Sequence, residues 1–242
     1  MSNTVLHKAA TRGHADHGWL ESYQSFSFAG YYNPQRTQFG VLRVLNDDIV
    51  AGGKGFGSHP HDNMEIISIP LEGSLVHEDN MGHKKVVSAG EVQVMSTGSG
   101  VFHSEYNNDP VKPAKFLQIW LFPNRLNVTP RYDQIRLDEG KGENQLQQLI
   151  SPASDGEGTW LYQDAWFFSG RFDTDKAFTY ERKKKENGVY LFVIKGSFSV
   201  DGQLLEFRDG LGITNTDAIG IQSLEEGSQL LIMDIPMQNK IQ

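Results

Sequence analysis

The chain alternates short apolar runs with glycine-containing turns over almost its whole length. Seven of these runs have the length and composition of strands, and turn residues close each one. They are FGVLRVL (39–45), MEIISIPL (64–71), EVQVM (91–95), KFLQIWLF (115–122), VYLFVI (189–194), SFSV (197–200) and QLLIMDI (229–235). Many short strands predict an all-β sandwich or barrel. Helical periodicity is weak, and ENQLQQLI (143–150) alone suggests a short helix.

Two stretches of the chain resemble each other. IISIPLEGSLVHED (66–79) and YLFVIKGSFSVDG (190–202) both contain an apolar strand, a Gly-Ser pair, a second strand and an acidic turn. The comparison aligns Gly73 with Gly196. Self-similarity of this kind indicates a duplicated structural unit, so we predict two similar β-barrels packed together.

The predicted barrels divide the chain into three parts. The first barrel covers residues 1–130 and the second covers residues 161–242. The stretch 131–160 between them is rich in Pro, Asp, Gly, Asn and Gln, which is typical of a linker. A second glycine pair, Gly90 and Gly210, also aligns, after a short indel.

Composition excludes several functional classes. The net charge of −8 argues against binding to a phosphate backbone, and acidic residues flank the one basic run, 182–185. The chain has no apolar run of roughly 18 residues and no secretory signal pattern at its start. Cysteine is absent, which excludes disulfides and thiolate ligands and fits a reducing compartment. We therefore expect a cytoplasmic protein that binds neither nucleic acid nor membranes directly.

A first cluster of chemically competent residues lies in SHPHDNME (58–65). His59, His61 and Glu65 are separated by even spacings, so an extended chain would direct all three side chains to one face. Pro60 favours that assumption, because the residue before a proline prefers extended geometry.

A second cluster follows in GSGVFHSEYNN (98–108), where His103 and Glu105 also share parity. The two clusters flank a glycine-bounded hairpin region, which would bring them side by side in one sheet. Three imidazoles with one or two carboxylates can hold a divalent first-row ion and leave about two octahedral positions open. The sequence therefore predicts a catalytic metal site, with a carboxylate favouring Fe(II) or Mn(II).

These segments resemble the motifs of a known family. GGKGFGSHPHDNMEIISIPLEG (52–73) resembles the first cupin motif, with seven residues rather than six before the last glycine. GEVQVMSTGSGVFHSEYN (90–107) resembles the second motif, with Gly98 in place of the usual proline. Together with WLESYQSFSFAGYYNP (19–34) and FLQIWLFP (116–123), they make the chain similar to pirins, a bicupin subfamily, over nearly its whole length.

The resemblance implies a ligand set. In pirins the corresponding residues hold a metal, usually iron, which here implies His59, His61, His103 and Glu105 as ligands. In other cupins the first-motif glutamate is the ligand instead, so Glu65 stays open as a ligand, a supporting carboxylate or a substrate-facing one. Fe(II) is the expected ion, and zinc, copper, nickel, manganese and cobalt are the alternatives.

The resemblance also implies a function. Bacterial pirins are similar to quercetin 2,3-dioxygenases, which open the flavonol ring with molecular oxygen and expel carbon monoxide. Glu105 or Glu65 could act as the general base that takes the proton of the flavonol 3-hydroxyl. The alternative is a metal-binding regulator that contacts a transcription factor or a metabolic enzyme. A cupin isomerase or storage-type barrel is a third interpretation, supported by fold analogy alone.

Several aromatic and sulfur-containing side chains could line the barrel around a planar ligand. They are Phe56, Met64, Met95, Phe102, Phe116 and Trp120, although ordinary core packing is the favoured interpretation for Phe116 and Trp120. The aromatic segment WLESYQSFSFAGYY (19–32) forms either a strand pair or a cover over the barrel mouth.

The second barrel is expected to lack metal ligands, because all eight histidines precede residue 104. Counting from the aligned glycines places Arg182 and Lys184 at the positions of His59 and His61. The same counting places Ser223 and Glu225 at the positions of His103 and Glu105. His77 and His83 fall in the hairpin region, where solvent exposure and a role over the site mouth are equally open.

Overall fold

The computed structural model describes residues 2–152, 156 and 158–241. Residues 1, 153–155, 157 and 242, which fall within the predicted barrel and linker ranges, lie outside the described residues. The described chain contains no α-helix, only two short 3-10 helices at Ala9–Thr11 and Glu139–Gly142. No helix in this part of the chain is long and apolar enough to cross a membrane.

Twenty-two strands account for the rest of the regular structure in the described part of the chain. They are β1 (Asn3–His7), β2 (Gly13–Asp16), β3 (Leu20–Gln24), β4 (Leu42–Val50), β5 (Gly55–His61), β6 (Glu65–Glu72), β7 (Ser74–Asp79), β8 (Lys84–Ser88), β9 (Glu91–Ser96), β10 (Val101–Asn107), β11 (Ala114–Leu121), β12 (Arg131–Arg136), β13 (Gln147–Pro152), β14 (Thr159–Leu161), β15 (Trp166–Phe172), β16 (Ala177–Glu181), β17 (Asn187–Lys195), β18 (Phe198–Val200), β19 (Gln203–Leu205), β20 (Gly210–Thr214), β21 (Ala218–Ser223) and β22 (Ser228–Pro236). Each of the seven apolar runs overlaps one of these strands, so the all-β prediction is confirmed.

The chain contacts define two compact units. The N-terminal unit contains Gly13–Leu137, with Thr159–Gln163 and Asn239–Gln242. The C-terminal unit contains Asp138–Gly158 and Asp164–Gln238, with Met1–Arg12. The domain limits read from the sequence stay a prediction.

The N-terminal unit consists of two antiparallel sheets. A large sheet has the strand order β12-β9-β6-β11-β4-β3-β2, and a small sheet has the order β5-β10-β7-β8. Hydrogen bonds join the sheets through their inner faces, because Ser68 on β6 and Gln118 on β11 both donate to Glu105 on β10. The unit is thus a sandwich of open sheets rather than the closed barrel that the sequence suggested, because its strands pair in two separate sets.

The C-terminal unit repeats this plan. Its large sheet includes the order β1-β20-β17-β22-β15-β13, and its small sheet has the order β16-β21-β18-β19. The interior is apolar: sixteen buried residues, among them Leu191, Phe198 and Ile232, form one cluster. Burial of apolar surface stabilises such an interior by roughly 25 cal/mol per Å².

A row of polar side chains crosses the large sheet of the N-terminal unit. Strand pairing places Gln93 on β9 opposite Ser68, Ser68 opposite Gln118, Gln118 opposite Asn46 on β4, and Asn46 opposite Gln24 on β3. Residues directly opposite each other share a face of the sheet. We call these five residues the polar row, and all of them are buried or at the limit of burial.

One local prediction was wrong. The second half of ENQLQQLI lies in β13 rather than in a helix, because its buried end, Leu149 and Ile150, is on a strand that pairs with β15. Long-range pairing here overrides the helical preference of the glutamines and leucines. The stretch 131–160, expected as a linker, also contains β12 and the start of β14, and the linker itself stays a prediction.

Candidate metal centre

Three histidines converge on the inner face of the small sheet. His59 and His61 alternate with Pro60 on β5, and β10 places His103 directly opposite His59. The ring centres of His59 and His103 lie 4.5 Å apart, and that of His61 lies 4.7 Å from His59 and 5.0 Å from His103. One nitrogen of each ring lies within 4.8 Å of the others. The three imidazoles therefore form a compact group of the kind that could hold one metal ion.

Hydrogen bonds define which nitrogens are free. His59 Nδ1 donates to the carbonyl oxygen of Gly57 at 2.7 Å, which leaves Nε2 as the acceptor nitrogen. His77 Nε2 donates to Asp79 Oδ2 at 3.0 Å, and His103 Nδ1 lies 3.5 Å from His77 Nδ1. Since His77 Nδ1 is then the acceptor, His103 Nδ1 carries the proton and its Nε2 has a free lone pair.

The buried Nε2 of His103 has no hydrogen-bond partner among the described residues. A buried polar atom without a partner is unfavourable, and a metal ion would satisfy it. Burial, with the neighbouring imidazoles, lowers the pKa of His103 to about 2. Burial likewise lowers the pKa of His61 to about 4. Because metal binding requires the neutral imidazole, these residues fit a divalent transition ion.

Glu105 lies on β10 two residues after His103 and shares its face, as predicted. The carboxylate is 2% exposed; Ser68 Oγ donates to one oxygen at 3.1 Å and Gln118 Nε2 donates to the other at 2.9 Å. Burial raises the pKa of this carboxyl group. Glu105 also forms a second group of close ligand atoms with His103 and His77. The ligand set of three histidines and Glu105 stays a prediction.

Glu65 does not share the face of the histidines, so that prediction was wrong. Asn63 has a left-handed φ of 46° and ends the extended segment after His61. Glu65 therefore begins β6 in the other sheet, where Ser68, three residues later, has the opposite parity and faces Glu105. Ser96 Oγ donates to the Glu65 carboxylate at 2.7 Å, and burial raises its pKa to about 7. This geometry does not support Glu65 as a catalytic residue at the histidine cluster.

A pocket of about 810 Å³ opens onto the cluster and is lined by His59, His61 and Glu105. This volume lies within the range of small-molecule sites. Aromatic side chains form much of its wall: Trp19, Phe28, Tyr31, Phe56 and Trp120. Phe28 packs edge-on against Trp120 with ring centres 5.4 Å apart. The pocket is thus suited to a planar, largely apolar ligand next to the imidazoles.

The predicted lining residues divide into three groups. Phe56 and Trp120 line the pocket, and Trp120 also packs against a buried core cluster, so both interpretations apply to it. Met64 and Met95 pack in a small cluster with Trp120. Phe116 is fully buried in the core, as favoured, whereas Phe102 is 53% exposed and cannot line the interior. The segment 19–32 fulfils both interpretations, since it contains β3 and also contributes Trp19, Phe28 and Tyr31 to the pocket.

Sequence reasoning missed the role of His77 and Asp79, whose side chains are completely buried. They orient His103, a support commonly found behind metal-ligating histidines. The even spacing of His77 and Asp79 on β7 indicates that their side chains share a face. Only the pairing of β7 with β10 places that face beside His103. His83, on the following turn, donates a hydrogen bond to the same Asp79 at 2.9 Å and is about one-third exposed.

Comparisons with known proteins agree with this geometry. The pirin family model matches residues 5–121, and a model described as the quercetinase C-terminal cupin domain matches residues 148–235. A protein from Escherichia coli O157:H7 named quercetin 2,3-dioxygenase is 40% identical, with 96% of this chain and 98% of that protein covered. A pirin-like protein from Caulobacter vibrioides is 38% identical, with 91% and 94% covered.

A solved structure is similar over almost the same length. The crystal structure of the bacterial pirin YhhW from Escherichia coli, in complex with nickel(II), superposes with a TM-score of 0.91 at 38% identity. The alignment covers 97% of this chain and 99% of that one. The chain contains two cupin domains, and it is a member of the pirin family.

Proposed function

We propose that the protein is a mononuclear metal-dependent dioxygenase that opens the ring of a flavonol such as quercetin with molecular oxygen. The observation that carries the proposal is the compact group of three imidazoles, two of which line a large aromatic pocket. The relative named quercetin 2,3-dioxygenase and the nickel(II) complex of a bacterial pirin support the same activity and a divalent metal.

The proposed ligands are His59, His61, His103 and Glu105, and the proposed ion is Fe(II). Such an ion, when bound, supplies positive charge and open coordination positions next to the pocket. The chain of hydrogen bonds from Asp79 through His77 keeps the Nε2 lone pair of His103 free for it. The zinc, copper, nickel, manganese and cobalt alternatives stay open to the same ligands.

The proposed general base is Glu105. Its carboxylate borders the pocket, where it could take the proton of a flavonol 3-hydroxyl group. Ser68 and Gln118 hold this carboxylate from the large sheet, so its orientation is fixed before a substrate arrives. Phe56, Phe28 and Trp120 would pack against the planar rings and exclude water from the reacting centre.

The test is aerobic turnover of quercetin by purified protein reconstituted with Fe(II), with metal content and carbon monoxide recorded together. We expect loss of the flavonol absorbance with stoichiometric carbon monoxide, and loss of both in His59→Ala. Bound metal without turnover of any flavonol would contradict the proposal and favour a regulatory protein. The open pocket supports the enzyme, because a site that serves only as a regulatory switch needs no cavity at the metal.

A further inference from the structure

The pocket has a second polar region, away from the histidines, where three acceptor oxygens have no partner among the described residues. Gln24, Asn46 and Asp48 are only 3%, 2% and 4% exposed, and all three line the pocket. Gln24 Oε1, Asn46 Oδ1 and Asp48 Oδ1 have no hydrogen-bond partner among the described residues. Three buried acceptors in one wall are costly to leave unpaired, so the wall is suited to a ligand that brings hydrogen-bond donors.

These acceptors continue the polar row beyond the candidate metal centre. At one part of the row, Ser68 and Gln118 have partners. Gln118 Nε2 donates to Glu105, and the single hydroxyl proton of Ser68 lies between Glu105 Oε1 at 3.1 Å and Gln118 Oε1 at 3.0 Å. Asn46 lies on the next strand, opposite Gln118, and Gln24 lies one strand further. Adjacent strands are about 5 Å apart, so the open acceptors begin about 5 Å from Gln118 across the sheet.

Asp48 extends this region along β4, two residues from Asn46 and on the same face. Ser22, directly opposite Asp48 on β3, hydrogen-bonds to its carboxyl group and leaves Oδ1 open. A carboxyl group retains an acceptor oxygen whichever way it is rotated, unlike an amide. Burial raises the pKa of Asp48 to about 7, and above that pH the ionised carboxylate presents an acceptor oxygen to this wall in either orientation.

We propose that Asn46 and Asp48, together with Gln24, form a specificity-determining subsite that accepts hydrogen bonds from ring hydroxyl groups of a polyphenol whose other end lies at Glu105. The inference rests on the proposed function and defines its substrate class as polyhydroxylated flavonols. A flavonol without such hydroxyls leaves the acceptors buried and unpaired, and a site of this kind discriminates strongly against it.

The experiment compares two ligands that differ only in ring hydroxyls: quercetin, and 3-hydroxyflavone, which has the 3-hydroxyl alone. Their dissociation constants are measured by absorbance titration of the Fe(II)-loaded protein with oxygen excluded. The variants are Asn46→Leu and Asp48→Asn. Gln93→Leu is the matched control, because Gln93 is 1% exposed, belongs to the same row and also has an unpartnered nitrogen, yet does not line the pocket.

We expect Asn46→Leu to weaken quercetin binding roughly tenfold, the scale of one buried hydrogen bond, and to leave 3-hydroxyflavone binding unchanged. Gln93→Leu should alter neither ligand. Asp48→Asn should also weaken quercetin binding relative to 3-hydroxyflavone binding. If Asn46→Leu does not fold, the Asp48→Asn result alone tests the subsite. Equal losses for both ligands, or no loss for quercetin, would overturn the subsite.

Failure of the subsite is distinguishable from failure of the proposed function. Aerobic turnover of quercetin with no discrimination between the two ligands in any variant would overturn the subsite and leave the dioxygenase in place. Hydroxyl-dependent binding without turnover in air would support the subsite and contradict the dioxygenase. A wild-type protein that binds 3-hydroxyflavone as tightly as quercetin would also overturn the subsite.

Discussion

The polar row of the N-terminal unit has an apolar counterpart in the C-terminal unit. Both units pair their strands in the same order, and the hairpins at Gly73 and Gly196 align them. By this pairing, Gln93, Ser68, Gln118 and Asn46 correspond to Leu211, Leu191, Ile232 and Phe168. All four counterparts belong to one apolar cluster. The same sheet thus supports a polar site in one unit and a packed core in the other.

The small sheets show the same contrast. Strand pairing relates His103, Glu105, His77 and His59 to Ile219, Ile221, Val200 and Tyr180. These four residues also belong to the apolar cluster. Duplication of the fold therefore preserved the strand pairing, which depends on the backbone, while these inward-facing side chains of the two units differ in chemistry.

The largest difference between the units should appear in metal content. His103→Ala removes the imidazole whose free Nε2 lies at the centre of the cluster, so we expect bound metal to fall from about one ion per chain to near zero. Metal analysis of the purified, reconstituted protein measures this. Lys184→Ala in the C-terminal unit is the control and should retain the metal; full retention in His103→Ala would remove His103 from the ligand set.

The second prediction concerns the packed core. Phe198 is fully buried in the C-terminal unit and packs edge-on against Phe172 with ring centres 6.1 Å apart. Phe198→Ala should lower the free energy of unfolding by about 3–5 kcal/mol, because it leaves a cavity, and should not change metal content. Urea denaturation followed by circular dichroism measures the loss. Phe102→Ala, at a position 53% exposed, should cost less than about 0.5 kcal/mol.

A third prediction tests the carboxylate that joins the two sheets of the N-terminal unit. Glu105→Gln keeps the shape but removes the charge held by Ser68 and Gln118. We expect metal affinity or quercetin turnover to fall roughly 10–100-fold. Glu78→Gln on β7, where the side chain is 57% exposed, is the control and should leave both unchanged. Wild-type affinity and turnover in Glu105→Gln would exclude Glu105 as ligand and base.

Alternation along single strands made much of this predictable. The apolar runs indicate the strands, and parity within β5 and within β10 places His59 with His61 and His103 with Glu105. Parity fails across a break in the strand, however, and the turn at Asn63 directs Glu65 to the other sheet. The pairing of β7 with β10, which places His77 behind His103, is a long-range contact that local patterns do not contain.

The correspondence between residues of the two units was also only partly predictable from the sequence. Counting from glycines related His103 to Ser223 and Glu105 to Glu225, but strand pairing shows Ile219 and Ile221 in those places. Turn glycines are weak anchors, because connections differ in length while the strand register is preserved. Strand pairing relates Gly90 to Arg208 rather than to Gly210. Gly90 and Arg208 both have a positive φ, 84° and 66° respectively.

Glu65 offers the last and smallest test, since its substitution should leave the metal site intact. Glu65→Gln should retain wild-type metal content. Glu65 and Ser68 lie on different faces of β6, and the Glu65 carboxylate accepts a hydrogen bond from Ser96. Burial raises its pKa from 4.5 to about 7 in the folded protein. Its contribution to stability is therefore fully present below pH 4.5 and is lost as the pH rises to about 7.

Glutamine does not ionise, so the variant does not lose this stability as the pH rises. The free energy of unfolding of Glu65→Gln, relative to that of the wild type, should therefore increase from pH 4 to pH 8. The gain has an upper limit of about 3.5 kcal/mol, because the pKa rises by about 2.5 units and each unit corresponds to about 1.4 kcal/mol. Urea denaturation of both proteins at the two pH values measures it. A stability difference that does not depend on pH would show that the carboxylate is ionised in the folded state, as pairing with the nearby Arg131 would cause. Loss of metal in Glu65→Gln alone would reverse the assignment of Glu105 as the carboxylate ligand.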